Sequence, residues 1–340
     1  MAKVVTFGEI MLRLQTYDHQ RIIQATGFDA TFGGGEANVA VSLAVYGHEA
    51  HFITKLPDNL VGDLCVSELR KYGLNTKYIA RGGERLGVYY VEKGASQRAS
   101  TVTYDRKHSS ISTASAEDFD WETIFDGAEW FHFTGITPAL SEEAAARCEE
   151  ALKAAKKLGI TVSCDLNFRK KLWTSEQANK VMSGLMQYVD VCIANEEDAE
   201  KVFGIKASAT DITSGELSDA GYRDVAKQLA DKFGFSHVAI TLRESISASV
   251  NNWSALLYDG KEYYKSKKYH INIVDRVGGG DSFGGGLIYA MLEKYSMQDT
   301  IDYAVAASCL KHSIQGDFNV VSVSEVLNLM KGDGSGRVQR

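Results

Sequence analysis

Apolar residues fall along the chain in two alternating rhythms. Short β-branched or aromatic runs, VVTF (4–7), HFIT (51–54), WFHF (130–133), ITVSC (160–164), VDVCI (189–193) and HVAIT (237–241), predict buried strands, and each precedes a stretch with helical spacing. The segment 141–159 sets Ala145, Cys148, Leu152, Ala155 and Leu158 three or four residues apart. It opens on a Ser with Glu nearby and closes on Gly159, so an amphipathic helix is expected with both ends marked. Strand and helix alternating over most of the chain imply an α/β fold: a doubly wound, mainly parallel sheet covered on both faces. Ligands of such sheets sit beyond the carboxyl ends of the strands, in the strand-to-helix loops.

Two stretches break this rhythm. Residues 86–106 read as two strands around a polar turn, and 10–32 look extended without a helical period. They predict an antiparallel flap, a small β lid formed by about 10–32 and 86–110, on a single domain spanning 1–330. The polar tail KGDGSGRVQR (331–340) is expected to fray.

Composition narrows the function classes. The 340 residues are 44% hydrophobic and 24% charged, which is globular and leaves ample apolar side chains to bury. A net charge of -7 without any basic block offers nothing to nucleic acid or to an anionic membrane, so an anionic ligand must be met by a local arrangement. No apolar run reaches the roughly 18 residues of a membrane span, and the N-terminus has no cleavable apolar segment. Five cysteines, odd in number and without CxxC spacing, read as reduced core residues. The expected location is the cytoplasm.

The most informative stretch is VDRVGGGDSFGGGLIYAML (274–292). Gly278, Gly279 and Gly280 lead into a helix, where bare N–H groups and about half a positive charge make an anion hole. Asp281 would repel a resting phosphate there. Either it caps the helix, or it accepts the proton of a hydroxyl attacking a phosphoryl group. No GxxxxGK[ST] occurs, and no GxGxxG follows an N-terminal strand, which counts against a P-loop and against a nicotinamide dehydrogenase. In a second cluster, FGGGEANVAVSLAVYG (32–47), Gly34 permits close approach of a ligand and Asn38 can bond hydroxyls. A tight turn before a closely packed helix is the plain alternative.

These two stretches, with ANEED (194–198) between them, resemble the three signatures of the ribokinase-like, PfkB-type carbohydrate kinases, in order and across nearly the whole chain. The resemblance implies the ribokinase-like fold with its β lid, ATP and Mg2+ as cofactors, Gly34 and Asn38 at the sugar, Gly278 to Gly280 as the anion hole and Asp281 as the base. It also implies nucleotide contacts at Asn167, Asn195, Thr241 and Arg243, and magnesium held through water by Glu197 or Asp198. Three positions depart from the family pattern. Asp198 stands where Glu is common, Leu242 to Ser245 where a glycine often occurs, and Gly279 where alanine is frequent. Arg243 either touches phosphate or pairs with Glu244.

The arginines bear on the substrate. CDLNFRKKLW (164–173) spaces Asp165, Asn167 and Arg169 by two, which in an extended chain projects them to one side. VTYDR spaces Tyr104 and Arg106 likewise, with Tyr89 on the facing strand. Guanidinium and phenol together suit a carboxylate, while a solvated charge or a salt bridge is the plain alternative for each arginine. YDR and DLNFR, with Asp317 in QGDF, resemble the 2-keto-3-deoxygluconate kinases. That resemblance implies transfer from ATP to the C6 hydroxyl of a small acid sugar. Fructokinases and other PfkB sugar kinases share parts of the arrangement, and a non-catalytic sugar-acid sensor would need the arginines without Asp281. Exposed lid edges imply a homodimer or higher homo-oligomer joined through the lid.

Overall fold

The computed structural model describes residues 1–207 and 219–332, so most of the expected polar tail lies outside the described residues. The strands are β1 (Lys3–Phe7), β2 (Met11–Gln15), β3 (Asp29–Gly33), β4 (Glu49–Ile53), β5 (Lys55–Leu56), β6 (Ala80–Arg81), β7 (Gly87–Glu92) and β8 (Thr101–Asp105). They continue as β9 (Trp130–Thr134), β10 (Thr161–Asp165), β11 (Val191–Asn195), β12 (His237–Ser245), β13 (Val250–Tyr258), β14 (Tyr263–Lys265) and β15 (Tyr269–Asn272). The helices are α1 (Gly35–Val45), α2 (Leu60–Lys71), α3 (Trp121–Phe125), α4 (Glu142–Lys157) and α5 (Ser175–Met186). After them come α6 (Glu196–Phe203), α7 (Asp219–Phe233), α8 (Gly279–Leu292), α9 (Met297–Lys311) and α10 (Val323–Met330).

The main sheet runs β14-β13-β12-β11-β10-β9-β1-β4, with β15 also paired to β13. From β12 to β4 every pairing is parallel. Apolar side chains leave these strands on both faces, as a doubly covered sheet requires. Val238 and Ile240 pack among Leu152, Met182 and Leu229 of α4, α5 and α7, while Ala239 packs on the side of Val41, Leu287 and Ala304 of α1, α8 and α9.

The expected rhythm fails after HVAIT. No helix follows β12, which continues to Ser245 and returns as the antiparallel β13, because the intervening ISAS (246–249) lacks helical spacing of apolar residues and forms a polar turn. The helix expected at 141–159 is α4, capped by Ser141 Oγ, which accepts from the Ala144 amide at 3.0 Å. Its buried face runs through Ala144, Cys148, Ala151, Leu152 and Ala155 instead of Ala145 and Leu158. Leu158 lies past the last turn and is 49% exposed.

The lid is the four-stranded sheet β3-β2-β7-β8. It is not wholly antiparallel as expected, since β2 and β7 run parallel. The chain between them passes through α1, β4 and α2 before returning in the same direction. On β2 the buried side chains are Met11, Arg13 and Gln15, so the lid turns an arginine inward and leaves Leu12 and Leu14 half-buried on its outer face.

Candidate active site

Thr134, Asp165 and Asn195 end β9, β10 and β11, and above this edge of the sheet lie two adjoining cavities. The larger, about 420 Å3, extends over the strand ends to the start of α8. The smaller, about 90 Å3, is roofed by the lid. Asn167, Arg169, Val277 and Asp281 line both. A wider groove of about 650 Å3 opens at the opposite end of the sheet, beside Trp130, Thr161, Val191 and His237, the first residues of β9 to β12. There Lys156 and Asp190 neutralise each other at 2.8 Å, and open parallel sheets place ligands at the other edge, so the adjoining pair is the candidate site.

Gly278 precedes α8 with φ 82°, a left-handed conformation that favours glycine, and a Cβ there would lie 2.1 Å from the Asp317 carbonyl oxygen. Helix geometry leaves the Gly280 and Asp281 amides without intrahelical acceptors. The Gly279 amide, expected to serve the anion hole, instead donates to the Arg276 carbonyl at 3.3 Å. Asp281 sits in the first turn, and no side chain caps the helix. Its Oδ2 accepts from Asn38 Nδ2 at 2.6 Å. Burial raises its pKa to about 6, against the Asn38 hydrogen bond, which favours the charged form. Asp281 is thus a carboxylate held at the junction of two cavities and poised near neutrality, the ordinary condition for a general base.

Asn38 was expected to bond sugar hydroxyls. One of its N–H groups is committed to Asp281, and its Oδ1 accepts from the Gly34 amide at 3.3 Å. It therefore orients the carboxylate and the glycine turn together. Gly34 admits no side chain, because a Cβ would meet the Glu9 carbonyl oxygen at 2.0 Å.

Under the lid, Tyr89 donates its hydroxyl proton to Asp317 Oδ2 at 2.7 Å, and Tyr104 stacks on Tyr89 with ring centroids 6.1 Å apart. The Arg106 guanidinium lies 5.2 Å from the Tyr104 centroid, while its Nε donates to Glu9 Oε2 at 2.7 Å. Arg106 therefore combines both readings, lining the cavity and forming a buried ion pair. Asp165, Asn167 and Arg169 all border the larger cavity, but alternation along an extended chain is not the reason. The strand stops at Asp165, and Asn167 turns with φ 41°.

Asn195 Oδ1 accepts from the Asp198 amide at 2.8 Å and caps α6, and Asp198 Oδ1 accepts from the Phe168 amide at 3.0 Å. Glu197, by contrast, is exposed on the larger cavity. Burial, with the nearby Asp198 and Asp281, holds the Asp165 carboxyl well above the ordinary carboxylate range. Thr241 and Arg243 also border this cavity, and Glu244 pairs with Lys268 and Asn252.

Sequence reasoning passed over an ionic cluster behind the site. Arg13, 1% exposed, donates to Asp317 Oδ1 and to Asp275 Oδ2 at 2.5 Å each. Burial disfavours its charge, but Asp317 and Asp275 more than compensate and hold its pKa above the ordinary value. Asp275 accepts from the Val277 and Gly316 amides, so the cluster ties the lid to the loop before α8. Also missed was Glu36, whose Oε1 accepts from the Thr134 amide and both hydroxyls of Thr134 and Thr137, and whose pKa burial raises to about 7. Arg276, Lys201 and Trp253 line the larger cavity and were not singled out either. The available signal was a polar residue at an alternating strand position, as in MLRLQ, and an arginine beside the glycines.

Residues 1–319 match the model of the pfkB family carbohydrate kinases. The crystal structure of a 2-dehydro-3-deoxygluconokinase from Thermotoga maritima is 55% identical, covers 98% of this chain and 100% of that one, and superposes with a TM-score of 0.94. A 2-dehydro-3-deoxygalactonokinase from Haloferax volcanii is 32% identical over 98% of both chains. A putative ribokinase II from E. coli in complex with ATP and Mg2+ shares the fold, with TM-score 0.80 over 97% of this chain and 99% of that one, at 19% identity.

Proposed function

Since the chain belongs to the pfkB family of carbohydrate kinases and is an ATP-dependent sugar kinase, we propose that its substrate is 2-keto-3-deoxygluconate, phosphorylated at the C6 hydroxyl with Asp281 as base. The observation that carries this reading is the position of Asp281 between a cavity bordered by Arg106, Arg169 and Tyr104 and one bordered by the glycine loop. Arg106 and Arg169 receive the substrate carboxylate with charge-assisted hydrogen bonds. Asp317, Tyr89 and the Gly34 turn meet its hydroxyls. In the larger cavity the Gly280 and Asp281 amides and Arg243 hold the triphosphate, with Asn167, Asn195 and Thr241 along its length.

In the transfer step the C6 oxygen attacks Pγ, and the bond between Pγ and its bridging oxygen breaks with the electron pair leaving on ADP. The hydroxyl proton passes to Asp281. A carboxyl near pKa 6 remains far below an alcohol, so proton acceptance accompanies P–O bond formation and does not precede it. Among the described residues no three acids or histidines converge as a metal cage. The crowding of Asp165 with Asp198 and Asp281 nevertheless suits a dication arriving with ATP, held through water by Glu197 and Asp198, where it offsets phosphate charge.

The lid cavity is narrow, and the substrate enters by outward movement of the lid, whose closure then excludes water. Lid-to-lid association follows from its outer face, where Leu12 pairs with Val88 and Leu14 with Tyr90, all half-buried.

The test is product identification. The protein, magnesium, ATP and 2-keto-3-deoxygluconate are incubated and the product analysed by phosphorus-coupled NMR. The expected product carries phosphate at C6. Phosphate at another carbon, or ATP consumption only with fructose, refutes the assignment and favours another sugar kinase of the family.

A further inference from the structure

Cations are distributed unequally between the two cavities. Under the lid, Arg106 faces Glu9, and Arg13 faces Asp275 and Asp317. Over the strand ends, Arg243, Arg276 and Lys201 border one space, and among the described residues none of them forms an ion pair. Burial, with the charge of Arg243 and against that of Asp275, lowers the pKa of Arg276. Like charges side by side are unfavourable unless a polyanion comes between them.

Hydrogen bonding points the same way. Arg276 Nη2 donates to the Ala248 carbonyl at 2.9 Å, which fixes the guanidinium, whereas its buried Nε has no acceptor. The indole of Trp253, 6% exposed and lining the same cavity, likewise has a buried Nε1 without an acceptor. Buried donors are rarely left unsatisfied, and two bordering the cavity that Gly278 to Gly280 also line mark a place for acceptor oxygens. Arg276 stands two residues before Gly278, in the loop that leads into α8, and lines the same cavity as Gly278 to Gly280 and Asp281.

From this arrangement we infer that Arg276 is a phosphate-binding residue, which with Arg243 grips the terminal phosphates of the nucleotide. The inference rests on the kinase reading of the larger cavity and assigns a role within it. A planar fork bonded at one end to the Ala248 carbonyl is already oriented, so the side chain can bond phosphate oxygens with little further ordering. As charge shifts from the γ-phosphoryl to the leaving oxygen, a fixed guanidinium beside both stabilises the transfer as well as the ground state.

The experiment uses the full chain with Arg276→Met and, because loss of the Ala248 contact could weaken the fold, Arg276→Lys as well. Calorimetric affinities for the non-hydrolysable triphosphate AMPPNP with magnesium and for AMP are compared, alongside turnover with ATP. For Arg276→Met, AMPPNP binding should weaken by about 10- to 100-fold and AMP binding by less than about 2-fold, with kcat reduced about 10-fold or more. Arg276→Lys should show the same selective loss at smaller size, since it keeps the charge but not the fork. Equal losses for AMPPNP and AMP in either variant, or unchanged AMPPNP affinity, overturn the inference. Failure of the wild-type protein to phosphorylate any acid sugar would instead refute the substrate reading, while the AMPPNP-to-AMP ratio would still judge Arg276.

Discussion

The two cavities that meet at Asp281 solve opposite electrostatic problems. Beneath the lid Arg13 and Arg106 are matched by acids, so a single carboxylate is received by a site whose charges are already arranged and partly offset. Over the strand ends, Lys201, Arg243 and Arg276 form no ion pair among the described residues, which suits a ligand carrying several negative charges. A monoanion needs orientation more than attraction, and buried pairs such as Arg106–Glu9 and Arg13–Asp317 fix orientation at a cost in desolvation. A polyanion brings its own counter-charge and is best met by bare donors on a helix start and free guanidinium groups.

Removing the residue that the cavities share should have the largest effect. Asp281→Asn is expected to lower kcat by about 10^2- to 10^4-fold while AMPPNP affinity is kept. Steady-state rates and calorimetry check this, and near-normal turnover would separate the cavities chemically. Next comes the support of the lid. Arg13→Met leaves Asp275 and Asp317 buried without their cation and should cost about 3–5 kcal/mol in urea unfolding. A cost below about 1 kcal/mol would mean that the cluster is not a structural tie.

Arg106→Met, made with Glu9→Gln so that no bare acid remains, sharpens the contrast further. It should reduce kcat/KM for the acid sugar by about 10- to 100-fold and leave KM for ATP unchanged. An equal rise in both KM values would deny the division of labour. The smallest effect concerns pH. With the Asp281 pKa raised to about 6, and the ionised form required as base, kcat/KM should climb with pH through an acid limb near 6. Asn38→Ala removes a hydrogen bond to the charged form and should move that limb upward. A limb near the ordinary carboxylate value of about 4 in the wild type would contradict the burial argument.

Much of this was legible in the chain. Strand-like runs placed β1, β4 and β9 to β12, and the glycine runs marked both loops that carry Asn38 and Asp281 to the cavities. What escaped was set by contacts between distant segments. In MLRLQ the leucines suggest the buried face, yet Arg13 and Gln15 turn inward, because partners 304 and 262 residues away neutralise the arginine. Nothing local encodes that. Arg276 stood inside the most informative stretch, but its meaning depends on Arg243 and on Trp253, which reach it from β12 and β13. Asn167 and Arg169 do reach the cavity with Asp165, but by a left-handed turn after the strand and not by alternation along it.

The most direct measurement of the central claim is a comparison of kcat/KM, by ADP release under magnesium ATP, for 2-keto-3-deoxygluconate, gluconate, fructose and ribose. The account predicts that the keto acid exceeds fructose and ribose by about 10- to 100-fold or more, the worth of a charged hydrogen-bonded contact. Fructose or ribose turned over as well as, or better than, every acid sugar would contradict it.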